Sequence, residues 1–385
     1  MLRRYGSLLL ALAFLSGCEA ARSSAPESVA PAKAPASHAA PTPSPSVVVA
    51  PAPAPSPVPT KVETKDEAMG TSLHFIAYSS ARADEAATRA AITQAIAEVR
   101  RLEALLSEWK QDSEIGQVNA KSGEWVAIGP ESRAVIERGL WAGKLSAGSF
   151  DITFQALSKV WKFGSAQDAQ PKPPTRAEIE PLRRLVDYRR VELDDGGQDG
   201  TARVRIGKGQ QLGLGGIAKG YIIDAAAKVL RAAGVESFLA QAGGDLYGAG
   251  RKPGGEPWVS GVQDPRAPQG QFFAVLELTD HAFSTAGDYA RSYVFGGKRY
   301  HHIIDPKTGF PATACRSVTV WAPDATTADG IDDAVFILGP KEGLKLVESL
   351  DGVGVVIVDA SNHVFVSDRI KDKVKVLKPP TDAPN

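Results

Sequence analysis

The chain has 385 residues, with 44 Lys and Arg against 44 Asp and Glu, so its formal net charge is zero. Charge balanced along the chain excludes a basic surface for polyanions, and neither nucleic acid nor a polybasic membrane patch is expected as a partner. Two cysteines, Cys18 and Cys315, exclude a disulfide framework, so the fold has to rest on its own apolar core.

The first 17 residues have the build of an export signal: Arg3 and Arg4, an apolar run over 8–14, then Leu15-Ser16-Gly17 ahead of Cys18. Such a run is too short to cross a bilayer, which takes about 20 residues. Its ending resembles a bacterial lipobox, in which the cysteine becomes the acylated N-terminus of the mature protein. Cys18 is therefore the expected lipidation site. On this reading a lipid anchor holds the protein to the bacterial cell membrane, facing the periplasm or exterior, with the inner membrane favoured. Residues 18–61 are dominated by Ala, Pro and Ser and read as a disordered tether, too poor in large apolar side chains to offset the entropy of ordering.

One globular α+β domain is expected over 62–377, followed by a disordered tail at 378–385. Its first strand begins at Met69, where Leu73, Phe75 and Ala77 alternate with Ser72, His74 and Tyr78. A helix follows over 84–107, free of Gly and Pro, with Ile92, Ala95, Ile96, Val99, Leu102, Leu105 and Leu106 repeating at three and four residues. Next come a helix near 130–146, an irregular region around 150–153, a short strand at 203–206 and a helix at 218–233 ended by Gly234. A strand at 237–241 closes on Gly243-Gly244-Asp245. Strands are then expected at 258–262, 272–278, 282–285, 299–304 and 318–321. Helices near 327–338 and 341–350 and strands at 353–358 and 364–366 complete the domain. This order lacks the repeated strand–helix alternation of a doubly wound sheet.

Between the strand at 203–206 and the helix at 218–233 runs Gly213-Leu214-Gly215-Gly216-Ile217-Ala218-Lys219-Gly220. Glycines there permit positive φ and close backbone approach, and the helix start that follows attracts an anion, so phosphate is the expected guest. Gly213-x-Gly215-x-x-Ala218 satisfies a dinucleotide fingerprint. That signal is weak: a dinucleotide fold takes the ribose hydroxyls with an acidic residue at the end of the next strand, and the strand here ends in Gln241-Ala242-Gly243-Gly244-Asp245. A Walker loop is excluded because Gly220 follows Lys219 where Ser or Thr is required. Taken alone, the loop equally serves tight packing of a helix on a sheet.

Two further clusters add chemistry. Asp305-Pro306-Lys307-Thr308-Gly309 is a turn in its own right, and His302 just before it is either a satisfied core histidine or a working one. Asp329, Asp332 and Asp333 open the helix near 327, where carboxylates suit the helix dipole. Asp329 and Asp333, four apart, share a face, and hard oxygen ligands at that spacing suit Mg²⁺ together with substrate phosphate. Zinc is not expected, because the six histidines form no His-Glu-x-x-His pattern and Cys315 stands alone. No Gly-x-Ser-x-Gly elbow is present. A phosphate loop, an acidic pair and a histidine point instead to phosphoryl-type chemistry on a diphosphate.

The same residues carry a resemblance. The pieces, in order, are Met69-Gly70-Thr71, Ser107-Glu108-Trp109 with Asp112-Ser113-Glu114-Ile115 and Asn119, and Gly148-Ser149-Phe150-Asp151-Ile152-Thr153. Gly215-Gly216-Ile217-Ala218-Lys219-Gly220 and Ala242-Gly243-Gly244-Asp245 follow, then Ser284-Thr285-Ala286-Gly287-Asp288-Tyr289, His302 through Gly309, and Ala328-Asp329. In this order they resemble the ApbE-type flavin transferases (FAD:protein FMN transferases) over 69–366. The resemblance implies a T-fold-like α+β domain with a central FAD cleft. It also implies Mg²⁺-dependent cleavage of the FAD diphosphate, with FMN passed as a phosphoester to a Thr hydroxyl of an exported or membrane redox protein. Some members use water, so an FAD diphosphatase is the alternative, and a non-catalytic FAD-binding lipoprotein the non-enzyme reading. Carried onto this sequence, Asp329 is the implied metal carboxylate, with the Ala218 carbonyl and Asp333 as further ligands. Lys219, Gly215 and Gly216 face phosphate, and His302 activates the acceptor hydroxyl or contacts the diphosphate. Met69, Trp109, Asp151, Gly244, Asp245 and Thr285 line the flavin and adenosine pocket. The chain departs from the family at Asp333 (typically Thr), Gly213 (commonly Asp) and Ala286 (commonly Ser), and the first of these leaves the metal stoichiometry open.

Overall fold

The computed structural model describes residues 58–163, 172–196 and 200–383. The expected export signal, Cys18 and the tether up to residue 57 lie outside the described residues. Eight strands form the main sheet: β1 (Lys61–Ala68), β2 (Thr71–Tyr78), β3 (Ser237–Ala242), β4 (Asp245–Ala249), β5 (His281–Gly287), β6 (Cys315–Ala322), β7 (Gly354–Asp359) and β8 (Val364–Val366). Each pairs antiparallel with the next, so their order across the sheet is their order in the chain. The four long helices are α1 (Glu85–Leu106), α2 (Pro130–Leu145), α3 (Ala218–Ala232) and α4 (Ala325–Glu348).

Alternation along the strands sets the layers. Phe238, Ala240, Val318, Val320, Val355 and Ile357 point to the helical side, where α1, α3 and α4 bury their apolar faces. Leu239, Phe283, Trp321, Val356 and Val358 point the other way, against a smaller antiparallel sheet of Trp258–Gln263, Phe272–Leu278 and Val374–Val376. Both faces of the main sheet are thus covered. The α+β class expected from the sequence is the class observed.

Several elements differ from expectation for identifiable reasons. Strand β1 was not expected, since Lys-Val-Glu-Thr-Lys-Asp-Glu-Ala has one large apolar residue, Val62; it forms because all of it pairs with β2 at the sheet edge. Strand β4 follows β3 directly, through a two-glycine turn in which Gly243 takes φ 57°. Helix α4 covers both expected late helices, which meet at a non-helical Gly339 with φ 77° ahead of Pro340. The tail at 378–383 is not loose: the Thr381 N–H and hydroxyl donate to the fully buried Asp264, and Asn362 donates to the Pro380 carbonyl.

Candidate active site

The site is built where α3 begins. That helix has no side-chain cap at its N-terminus, so its first N–H groups need partners from elsewhere. One comes from α4: the Gly220 N–H donates to Asp329 Oδ2 at 2.9 Å. Only glycine allows this, because a Cβ at Gly220 would lie 2.1 Å from the Ala325 carbonyl oxygen and 2.8 Å from Asp329 Cβ. One turn on, Asp224 locks the same junction. Its carboxylate accepts from the Ala325 and Thr326 N–H groups, both at 2.8 Å, and so caps α4 from α3. Close helix contact, and not positive φ, is what the glycine loop provides: Gly213, Gly215, Gly216 and Gly220 are all absent from the left-handed region.

The first turns of α4 then project Asp329, Asp332 and Asp333 toward β4 and β5, which bring Asp245 and Ser284. Asp245, Asp329 and Asp332 are at most 4% exposed, and each offers an oxygen within 4.8 Å of the others. Lys219 Nζ bridges two of them, at 2.8 Å from Asp245 and 3.0 Å from Asp329. Burial works against the Lys219 charge, yet Asp245 and Asp329 hold its pKa above the ordinary lysine value. The carboxylates are less well served. Burial and the neighbouring Asp245 push Asp329 up to about 7 against the pull of Lys219; burial with Asp333 and Asp329 beside it lifts Asp332 well above its ordinary value. Asp333, partly buried, is pushed to about 6, chiefly by burial.

Ser284 Oγ donates to Asp332 Oδ2 at 2.6 Å and also contacts Asp245 Oδ1, so β5 ties the two carboxylates together. The donors are all oxygen, as a hard divalent cation requires.

These residues open onto a cavity of about 370 Å³, within the range of small-molecule sites. Gly215, Gly216, Lys219, Gly244, Asp245, Thr285, His302, Asp329 and Asp333 line it, as does Trp109, 72% exposed at its rim. His302 Nδ1 is buried with no hydrogen-bond partner, and burial, followed by repulsion from Arg291 and His301, lowers its pKa to about 3. Burial thus disfavours its charged form and leaves one ring nitrogen unpaired.

Other expected residues are placed differently. Met69 takes φ 54° and packs against the core while its neighbour Gly70 lines the cavity. Ala218 is buried at the first position of α3 and is not among the cavity walls. Asp151 lies at the wall, but its carboxylate is occupied by the Thr153 N–H and hydroxyl and the Tyr188 N–H, at 2.6 to 2.8 Å. Thr285 shares a 2.9 Å hydrogen bond with Thr319. The acidic grouping is Asp329 with Asp332 and Asp245, whereas the sequence spacing had paired Asp329 with Asp333. Glu108 and Arg291, which sequence reasoning did not assign, also line the cavity, and burial raises the Glu108 pKa. Both stood inside segments the sequence singles out, Glu108 beside Trp109 and Arg291 at the end of 284–291, which was the available signal.

The profile of the ApbE family matches residues 69–357. A protein of Treponema pallidum named FAD:protein FMN transferase is 33% identical over 321 residues, covering 80% of this chain and 87% of its own. One of Haemophilus influenzae with the same name is 26% identical, covering 80% and 88%. Among solved structures, the ApbE protein of Thermotoga maritima superposes with a TM-score of 0.72 at 33% identity, over 82% of this chain and 99% of its own. The flavin transferase ApbE of Vibrio cholerae superposes with a TM-score of 0.70 at 25% identity, over 82% and 100%. With more than half its length matched by the profile and a relative 33% identical over 80% of it, the chain belongs to the ApbE family.

Proposed function

We propose that this chain is an FAD:protein FMN transferase that works with Mg²⁺ and is tethered by a lipid on Cys18 to the bacterial cell membrane, facing the periplasm or exterior, with the inner membrane favoured. The carrying observation is the meeting, in one cavity, of a glycine-lined helix start, Lys219, a crowded set of buried carboxylates and a neutral histidine with a free nitrogen. A diphosphate suits the helix start but is repelled by the aspartates unless a divalent cation lies between them. Asp329, Asp332 and Asp245, with Asp333 beside them, are the residues that would hold Mg²⁺; the Ala218 carbonyl is the further ligand that family resemblance implies. When bound, Mg²⁺ supplies charge neutralisation on the diphosphate and polarises its phosphorus.

The remaining roles fall to the chain's own groups. Lys219 and the amides of Gly215 and Gly216 orient the phosphate oxygens, and Phe150, Phe154 and Trp109 offer faces for flat rings. His302 accepts the proton of the acceptor Thr hydroxyl as that oxygen bonds to the FMN phosphorus. The anhydride bond to AMP breaks, and AMP departs with the electron pair. Purified protein incubated with FAD, Mg²⁺ and a candidate exported redox acceptor tests the reading. An acceptor that becomes covalently fluorescent is expected. Free FMN and AMP with unlabelled acceptor would mark a diphosphatase, intact bound FAD a storage protein, and absence of FAD binding would end the proposal. For the anchor, labelling of cells with a fatty-acid analogue should mark the protein and fail in Cys18→Ala.

A further inference from the structure

The C-terminal segment lies beyond residue 357, where the family match ends, yet it is bound to the body of the domain by specific polar contacts. Val374–Val376 pairs with Phe272–Leu278, and the Leu377 N–H continues the ladder to the Phe273 carbonyl. The chain then crosses to Asp264, a carboxylate with no solvent exposure. The Thr381 N–H reaches Asp264 Oδ2 at 3.0 Å and its hydroxyl reaches the same oxygen at 2.8 Å. Asp382 and Pro380 attach nearby: the Arg316 guanidinium is 3.3 Å from Asp382, and Asn362 donates to the Pro380 carbonyl at 2.9 Å.

Asp264 leads toward the cavity. Its Oδ1 accepts from the Arg266 N–H at 3.1 Å, and the Arg266 guanidinium forks onto both oxygens of Asp288 at 2.7 Å. That ion pair is nearly solvent-free, with side chains 3% and 9% exposed. A two-point fork of this kind fixes the orientation of both partners. The Asp288 N–H is held in turn by the Arg316 carbonyl at 3.0 Å, on the residue whose side chain meets Asp382. Asp288 begins the turn whose next residues, Tyr289, Ala290 and Arg291, bring the chain to the cavity wall beside His302.

We propose that residues 378–382 are a strap that sets the 287–291 loop in its cavity-lining position through Asp264, Arg266 and Asp288, so that Thr381 is a positioning residue. The physical basis is the buried Asp264 carboxylate. With the strap in place its lone pairs are met by fixed donors; without it the carboxylate must take up water, and the Arg266 fork loses the support that orients it. Arg291 and the backbone around it then sample positions off the cavity wall. The effect on flavin handling rests on the proposed function, whereas the effect on the loop does not.

Hydrogen–deuterium exchange on ligand-free protein is the test, comparing the full chain with a form ending at Leu377 and with Thr381→Val and Thr381→Ser. Exchange at 287–291 is expected to rise at least tenfold in the truncated form and several-fold in Thr381→Val, with Thr381→Ser close to the parent and strand β6 unchanged in all. In parallel, the FAD dissociation constant should rise about tenfold on truncation. If the truncated form is folded and its loop exchanges like the parent, the strap does not position the loop. If the truncated form fails to fold, Thr381→Val against Thr381→Ser decides in the same way. A parent that binds no FAD would overturn the proposed function and leave the exchange result to decide the strap.

Discussion

Two sets of buried or half-buried aspartates in this molecule are built in opposite ways. Asp151 and Asp224 are each met by neutral donors: two N–H groups and a threonine hydroxyl apiece, all within hydrogen-bond distance. Asp245, Asp329, Asp332 and Asp333 crowd together with one lysine among them. Both sets lie close to the junction of α3, α4 and the sheet, so location does not separate them. Supply of donors does. A saturated carboxylate braces the fold, whereas a cluster short of positive charge is held ready for a cation and an anionic substrate.

The contrast is sharpest at Asp329. Asp329→Ala should lower Mg²⁺-dependent transfer by about 10³-fold, because the buried diphosphate loses the charge compensation that the site provides. Transfer at the parent rate in that variant would remove the cluster's functional standing. His302→Ala comes next, with kcat expected to fall about 10²-fold while the FAD dissociation constant stays within a factor of about three. Since burial holds His302 near a pKa of 3, the rate profile should show no limb at the ordinary histidine value. Equal loss of binding and rate would make it a structural histidine.

Asp151→Asn tests the other set. An amide cannot accept from all three donors, so urea unfolding should show a loss of about 1–3 kcal/mol with kcat largely kept. Loss of FAD binding at unchanged stability would break the distinction between the two sets.

A smaller effect concerns pH. The folded-state values of Asp329 and Asp333, about 7 and about 6, lie above the ordinary 3.8, so the native state binds more protons than the unfolded chain between those limits. Stability contributed by these groups is therefore fully present at low pH and is lost as pH rises through 6 to 7. In chelator the midpoint of thermal unfolding should be a few degrees higher near pH 5 than near pH 8, and Mg²⁺ should narrow that gap. The mildest change is Asp333→Thr, for which the Mg²⁺ concentration at half-maximal rate should rise a few-fold with the maximal rate little altered.

Legibility in the sequence followed the range of the forces involved. Helix α1 was readable because its apolar spacing is local, and the break in α4 because Gly339-Pro340 announces it. Strand β1 was not, since its stability comes from partners in β2 and hardly at all from its own side chains. In the site, Asp329, Lys219 and His302 were found through motifs. Asp329 has acidic neighbours at both three and four residues, and a helix face admits either. Asp332 is brought beside Asp245 by Ser284, on β4 and β5, a grouping that no spacing along α4 encodes. Asp151 shows the converse: its motif was legible, its saturation by Tyr188 was not.

The sheet has its strands in chain order, so each can pair with a neighbour already made as the polypeptide emerges. The cavity has no such privilege. Its walls are drawn from residues as far apart as Gly70 and Ile337, and Asp329, Asp332 and Asp333 arrive with α4, after six of the eight strands. Much of the sheet can exist before the acidic cluster is complete. A chain that is still being made therefore lacks the completed acidic cluster, and the cavity is whole only once folding is finished.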